Sequence, residues 1–191
     1  MRILQAVTLV SPDGAYGGPV RVALNQLGAL RSAGNDVRLL GATRGYRHPP
    51  TELDSVPLSL FPARRLIPRS GFVGLSAPGA VSWLLRHRQD IDVVHCHLAR
   101  DLVMLPLAHL VMGLGIPYVV QAHGMIAPRA GRAGRLFDQL AVRRVLAGAS
   151  TVLYLTDQER DGLQTVAGDR ELPLVRLTNG VPLYPDTASD L

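Results

Sequence analysis

The chain has 191 residues, 47% of them apolar, and 20 basic side chains against 15 acidic ones give a net charge of +5. That length fits one domain burying about 70% of its unfolded surface, and the apolar share excludes wholesale disorder. All the basic residues are arginine, and the charge favours acidic partners such as nucleotides or anionic lipid. Aromatics make up only 5%, too few for a stacking platform, so no nucleic-acid partner is expected.

The single cysteine, Cys96, excludes an internal disulfide and fits a reducing compartment. No signal-peptide pattern opens the chain. The longest apolar stretch, Leu102 to Val120, is broken by Pro106, His109, Gly113, Gly115 and Pro117. It therefore predicts a buried helix running into a buried strand rather than a membrane span. A soluble, cytoplasmic chain is expected.

In chain order, Ile3–Val10 reads as a buried strand, broken by Ser11-Pro12-Asp13-Gly14. Pro19 suits the first helical position, and Val20, Ala23, Leu24, Leu27 and Leu30 repeat at helical spacing until Gly34. Strands follow at Val37–Ala42, Pro57–Phe61, Val93–Cys96, Tyr118–Ala122, Thr151–Leu155 and Leu174–Leu177. Helices are expected over Ala80–Arg88, Asp101–Gly113, Arg135–Ala147 and Asp157–Val166. Strands alternating with helical crossovers predict an α/β fold, a doubly wound, mostly parallel sheet of about seven strands. Ala63 to Pro78 is a long connection in which Arg64, Arg65 and Arg69 stand among Leu66, Ile67, Phe72, Val73 and Leu75. The polar end, residues 183–191, reads as a linker or tail.

In such a sheet, ligands gather beyond the carboxyl ends of the strands. The first of these ends carries Gly14 to Pro19. Its glycine pair, Gly17 and Gly18, either lets a phosphate approach bare N–H groups at a helix N-terminus or serves a tight turn needing positive φ. His95-Cys96-His97 ends a second strand, with both imidazoles on one side by alternation. His95 is either a ligand-facing residue or a packed, hydrogen-bonded histidine near the sheet edge. Three histidines near one edge raise a zinc reading, but no carboxylate or helical histidine pair supports it, so no metal is expected.

His123, followed by Gly124 at the next carboxyl end, is the stronger candidate, placed to hydrogen-bond a sugar hydroxyl or a phosphate. Arg129, Arg132 and Arg135 come next, suited to gripping an anion or to forming a solvated basic face. Other chemistries fail on the residues. The glycine spacing is wrong for a dinucleotide site, the absence of lysine removes a Walker loop, and no Gly-x-Ser-x-Gly elbow occurs.

Gly17-Gly18-Pro19, Asp92-Val93-Val94-His95-Cys96-His97, Ala122-His123-Gly124, Thr151 to Arg160 and Thr178-Asn179-Gly180-Val181-Pro182 occur together in that order. The set resembles the N-terminal half of a GT-B glycosyltransferase of retaining family 4, over residues 1–182. The resemblance implies a Rossmann-like acceptor-side domain of an enzyme that moves a sugar from a nucleotide-sugar donor to a saccharide or lipid-linked acceptor, as in cell-envelope polysaccharide synthesis, without a cofactor.

On that resemblance, Gly17 and Gly18 contact the donor phosphate and Arg21 helps hold phosphate or acceptor. His123, the catalytic candidate, and Gly124 face the transferred sugar. His95, His97 and Arg129 lie on the acceptor side, and Asn179-Gly180 leads into the hinge. Pro182 departs from the acidic residue usual after Asn-Gly-Val. A C-terminal donor domain would be required in cis or in trans, so the isolated chain is expected not to turn over. The basic, apolar 63–78 connection either rests on the anionic inner face of a membrane or is a flexible loop with a partly buried apolar anchor. A second reading is a non-catalytic α/β module that binds a nucleotide or sugar phosphate.

Overall fold

The computed structural model describes residues 1–14, 17–69, 71–178 and 180. Asn179 and the expected tail at 183–191 lie outside them. In chain order the elements are β1 (Arg2–Val10), α1 (Gly17–Ser32), β2 (Asp36–Thr43), β3 (Glu52–Leu53), β4 (Val56–Pro62), β5 (Arg64–Arg65) and β6 (Leu75–Ser76). Then come α2 (Pro78–His87), β7 (Val93–His97), α3 (Met104–Gly113), β8 (Tyr118–Gln121), α4 (Arg132–Phe137) and α5 (Arg143–Gly148). β9 (Thr151–Tyr154), α6 (Asp157–Ala167) and β10 (Leu174–Arg176) complete the fold.

The main sheet has eight strands in the order β10-β9-β8-β7-β1-β2-β4-β3. Every pair is parallel except β3–β4. The seven expected strands are all present, within a residue or two of their expected ends, in a doubly wound α/β sheet. The eighth, β3, escapes a pattern search because two residues carry no periodicity. It turns into β4 through Asp54 (φ 47°) and Ser55 (φ 61°), a two-residue hairpin loop with positive φ at both positions but without the Asn-Gly or Asp-Gly that announces one. The 63–78 connection is likewise not pure loop, since β5 pairs antiparallel with β6.

Two expected helices are corrected. The one expected from Asp101 starts at Met104, because Asp101 caps it: Oδ1 accepts the N–H groups of Val103 (2.8 Å) and Met104 (2.7 Å). The one expected over Arg135–Ala147 is two α-helical pieces joined by a π turn at Asp138–Val142. Asp138 points inward there, and both its oxygens accept from the buried Arg100 guanidinium (2.7 and 2.8 Å). Arg100 also donates to the carbonyls of Met125 (3.0 Å) and Ala127 (2.8 Å), which holds the segment after β8 in place.

Side-chain alternation sends the two faces of the sheet into separate cores. Leu4, Ala6, Val94, Cys96, Val120 and Val152 pack with residues of α2, α3, α5 and α6 in the larger one. Ile3, Val7, Val37 and Leu39 pack on Ala23, Leu24 and Leu27 of α1 in the smaller. The 102–120 stretch is the buried helix and strand expected, α3 and β8. Among the described residues no helix is long and apolar enough to cross a membrane.

Helix α1 ends as the sequence suggests. Gly34 (φ 84°) follows it, with Gly34 N–H on Arg31 O (2.9 Å) and Asn35 N–H on Leu30 O (3.2 Å), the paired bonds of a Schellman cap. Because α1 alone supplies the helical side of its core, truncating its central anchor should be felt in full. Leu27→Ala is expected to destabilise the chain by about 3 kcal/mol, read as a lower urea midpoint at unchanged slope.

Candidate functional site

Two carboxyl-end turns and the start of α1 enclose a cleft of about 430 Å³, lined by Gly18, Val20 and Val22 of α1, Thr8 of β1, and His123 and Met125 after β8. Phe72, from the connection between β5 and β6, closes one side. The volume falls in the range of small-ligand sites. Gly18 and His123, distant in sequence, therefore border one space.

The turn requiring positive φ is at Gly14 (φ 64°); neither Gly17 nor Gly18 has positive φ. A Cβ at either position would meet nothing within 4 Å. Neither backbone strain nor packing calls for glycine at 17 and 18. The first-turn N–H groups of a helix lack intrahelical partners, but the Gly17 N–H already donates to Gly14 O at 2.8 Å, so the bare backbone that borders the cleft is that of Gly18.

His123 occupies a strained turn. It has φ 50° and Gly124 φ 74°, and Met125 N–H bonds back to Ala122 O at 2.8 Å. Positive φ at a non-glycine residue persists only where surroundings enforce it. The enforcing group is Glu159, which the sequence reading passed over. Its Oε1 accepts from Gly124 N–H and its Oε2 from Leu155 N–H, both at 2.7 Å. The signal was present: Thr156 and Glu159 have capping-box spacing, and Thr156 Oγ1 accepts the Glu159 N–H (3.2 Å).

Behind His123 the imidazoles stack. His95 and His97 rings are 4.5 Å apart and those of His97 and His123 5.0 Å, nearly parallel. His97 Nδ1 lies 2.7 Å from His123 Nε2, and His97 Nε2 lies 2.7 Å from Gln5 Oε1. His97 is buried, with both ring nitrogens in hydrogen-bond contact. Gln26 of α1 donates to Gln121 Oε1 at 3.1 Å, extending the polar layer under the helix. Among the described residues no group of three or more His, Cys, Asp or Glu is arranged to hold a metal ion.

The remaining candidates are dispersed. Arg21 pairs with Asp54 (3.0 Å) and lines a different cavity with Gly180. Gly124 borders a hollow beside Glu159. Arg129 stacks over the Phe137 ring at 5.6 Å and lines a third space with Arg135. None of these lines the cleft of Gly18 and His123. Cys96 is buried in the larger core, where burial pushes its thiol up to about 12, which leaves it unreactive.

Electrostatically, the stack is a set of bases kept neutral. Burial, then repulsion from His123, pushes His95 down to about 4, against an upward pull from the Gln121 side chain. Burial, reinforced by His95 and His123, holds His97 well below the ordinary imidazole range. Burial also lowers His123, while the Glu159 carboxylate pulls it upward.

A base whose folded pKa is depressed binds fewer protons folded than unfolded, so stability is present above 6.5 and is lost as pH falls toward 4. For His95 alone that amounts to about 3 kcal/mol. Asp101, pushed up to about 6 by burial, works in the opposite sense. The check is therefore a difference: between pH 6.5 and 4, the stability of the wild type should fall more steeply than that of His95→Gln in urea titrations. Parallel curves would contradict it.

Residues 17–180 match the model of a family described as the glycosyl transferase 4-like domain. Among solved structures, the crystal structure of Acinetobacter baumannii MurG is similar at 14% identity, covering 97% of this chain and 69% of that chain, with a TM-score of 0.41. No curated protein matches the chain.

Proposed function

The chain belongs to the glycosyl transferase 4-like domain family, and from that premise we propose that it is the acceptor-binding half of a retaining glycosyltransferase. It would move a sugar from a nucleotide-sugar donor to a saccharide or lipid-linked acceptor, at the cytoplasmic face of a membrane. The observation that carries the reading is the shared cleft: Gly18 at the start of α1 and His123 on its enforced turn line one space at the carboxyl edge. In this reading the backbone at Gly18 meets the donor phosphate and His123 the transferred sugar, while the N–H of Gly17, the other expected phosphate contact, is held by Gly14 O (2.8 Å). Arg21, Arg129 and Gly124 would act from outside this cleft, His95 and His97 from behind His123, and Asn179-Gly180 would belong to the hinge.

A second domain is part of the proposal because the cleft has no arginine among its lining residues. A departing nucleoside diphosphate needs positive charge or strong donors placed where negative charge develops, and one helix end supplies only part of that. The donor-binding domain, in cis or in trans, would bring the remainder. The alternative, a module that binds a nucleotide or sugar phosphate unaided, predicts the opposite ligand preference.

Calorimetry on the 191-residue chain separates the two. Saccharides are expected to bind, threefold to tenfold more weakly to His123→Ala, and not at all to Gly18→Leu, whose side chain enters open space. UDP- and GDP-sugars are expected to bind weakly at most. Tight nucleotide-sugar binding without saccharide binding would replace the enzyme-half reading with the module.

The lipid-linked acceptor draws support from the 63–78 connection. It exposes Arg64, Arg65, Leu66 and Ile67 at one end and gives Phe72 to the cleft at the other, and apolar side chains interleaved with arginines suit an anionic lipid surface. At about 1 kcal/mol per arginine, the double variant Arg64→Gln/Arg65→Gln should bind vesicles containing anionic lipid about thirtyfold more weakly. Wild-type sedimentation that is insensitive to salt and to anionic lipid would exclude this contact.

A further inference from the structure

We propose that Gln5 and His97 are positioning residues that fix the tautomer of His123, so that its Nε2 carries the proton and its Nδ1 presents a bare lone pair to the cleft. The argument follows hydrogen-bond polarity along the chain of contacts. An amide oxygen can only accept, so at the 2.7 Å contact with Gln5 Oε1 the proton sits on His97 Nε2. A neutral His97 then has a bare Nδ1. The 2.7 Å contact between that nitrogen and His123 Nε2 requires one proton between them, and only His123 can supply it. With Nε2 protonated, neutral His123 has its lone pair at Nδ1, which has no protein partner among the described residues.

The surroundings support each step. Burial keeps His97 neutral, and the stacked neighbours His95 and His123 oppose a charge there. Glu159, the carboxylate facing His123, spends both oxygens on the N–H groups of Gly124 and Leu155. Those bonds hold the turn and leave the ring to be oriented by His97. Gln5 is fully buried on β1, with its residue pairing beside His95 on β7, so the sheet itself sets where the polarity begins.

One consequence rests on the cleft being a sugar-substrate site. A bare Nδ1 accepts from a hydroxyl or takes up a proton, and it repels a phosphate oxygen. Phosphate recognition then falls to the start of α1 and hydroxyl recognition to His123. The tautomer itself does not depend on that reading, so it is tested without substrate.

Two-bond proton–nitrogen correlation spectra of the nitrogen-15-labelled chain at neutral pH identify which nitrogen of each histidine is protonated. Wild type should show His123 as a single tautomer with a bare-nitrogen shift at Nδ1. Gln5→Leu should move both His123 nitrogens toward averaged shifts, and Gln5→Glu, which still accepts from His97, should restore the wild-type pattern. A proton on Nδ1 of wild-type His123, or averaged shifts in the wild type, overturns the proposal. So does a Gln5→Leu spectrum unchanged at His123. If Gln5→Leu does not fold, the wild-type and Gln5→Glu spectra still decide.

Discussion

A row of polar side chains runs through the middle of a parallel sheet, and most of the site depends on it. Gln5, His97 and His123 come from β1, β7 and the end of β8, three adjacent strands, with His95 and Gln121 as the register partners of Gln5 and His97. A polar group buried without a partner is destabilising by about 1–3 kcal/mol, so such a row persists only if its members satisfy one another. They do so at two contacts of 2.7 Å. The satisfaction is incomplete: Gln5 Nε2, His95 Nε2, Gln121 Nε2 and Gln26 Oε1 are buried without hydrogen-bond partners. A sheet built for stability alone would have carried valine or leucine here. The polar row lies behind the cleft and ends at His123, its one ionisable lining residue among the described residues, which gives it a purpose in the site rather than in the core.

The same constraint explains the conformation of the His123 turn. For its ring to stack on His97, the chain must bend sharply as it leaves the sheet, and the bend puts a non-glycine residue in the left-handed region. Glu159 and Arg100 hold the bend from two sides. Glu159 takes the Gly124 N–H, while Arg100, paired with Asp138, takes the carbonyls two and four residues after His123. Arg100 and Asp138 are both buried, where breaking such a pair is far more damaging than the pair is stabilising. The π turn that carries Asp138 thus belongs to the support of the site, a common setting for such turns.

Hydrophobic periodicity over five or more residues made the main strands and helices legible in the sequence. β1 and β2 are apolar runs buried on both faces, α1 and α6 each show one buried and one exposed face, and Gly34 and Thr156 mark helix ends by known chemistry. What stayed illegible has short range or long reach. β3, β5 and β6 are two-residue strands whose pairing depends on neighbours, and the Asp54-Ser55 turn lacks the usual glycine. Asp101 and Asp138 look like surface helix residues until Thr8 and Arg100 are brought to them by the fold. At the site, Gly18 and His123 could be placed at one edge because both end parallel strands. The contact of His97 with Gln5 spans 92 positions and has no sequence signature. Glu159 had one, its capping-box spacing with Thr156, but that spacing announces a helix start and says nothing of Gly124.

The distribution of charge bears on the division of labour. A chain with a net charge of +5 that bound a diphosphate unaided would be expected to direct arginine into its cleft, since guanidinium groups grip phosphate in pairs of bonds. Here the arginines nearest in sequence to the site are engaged elsewhere, Arg21 with Asp54, Arg100 with Asp138 and Arg129 over Phe137. The cleft keeps apolar walls, a helix N-terminus and one imidazole held neutral by burial. Such a surface suits a ligand that brings hydroxyls and apolar faces, as a saccharide does, better than one that brings two negative charges. The excess positive charge, concentrated in part at Arg64 and Arg65 beside exposed Leu66 and Ile67, is then a property of the outer surface. In the proposed reading that charge would face anionic surroundings, while the cleft would bind through neutral hydrogen bonds whose direction the buried row would set.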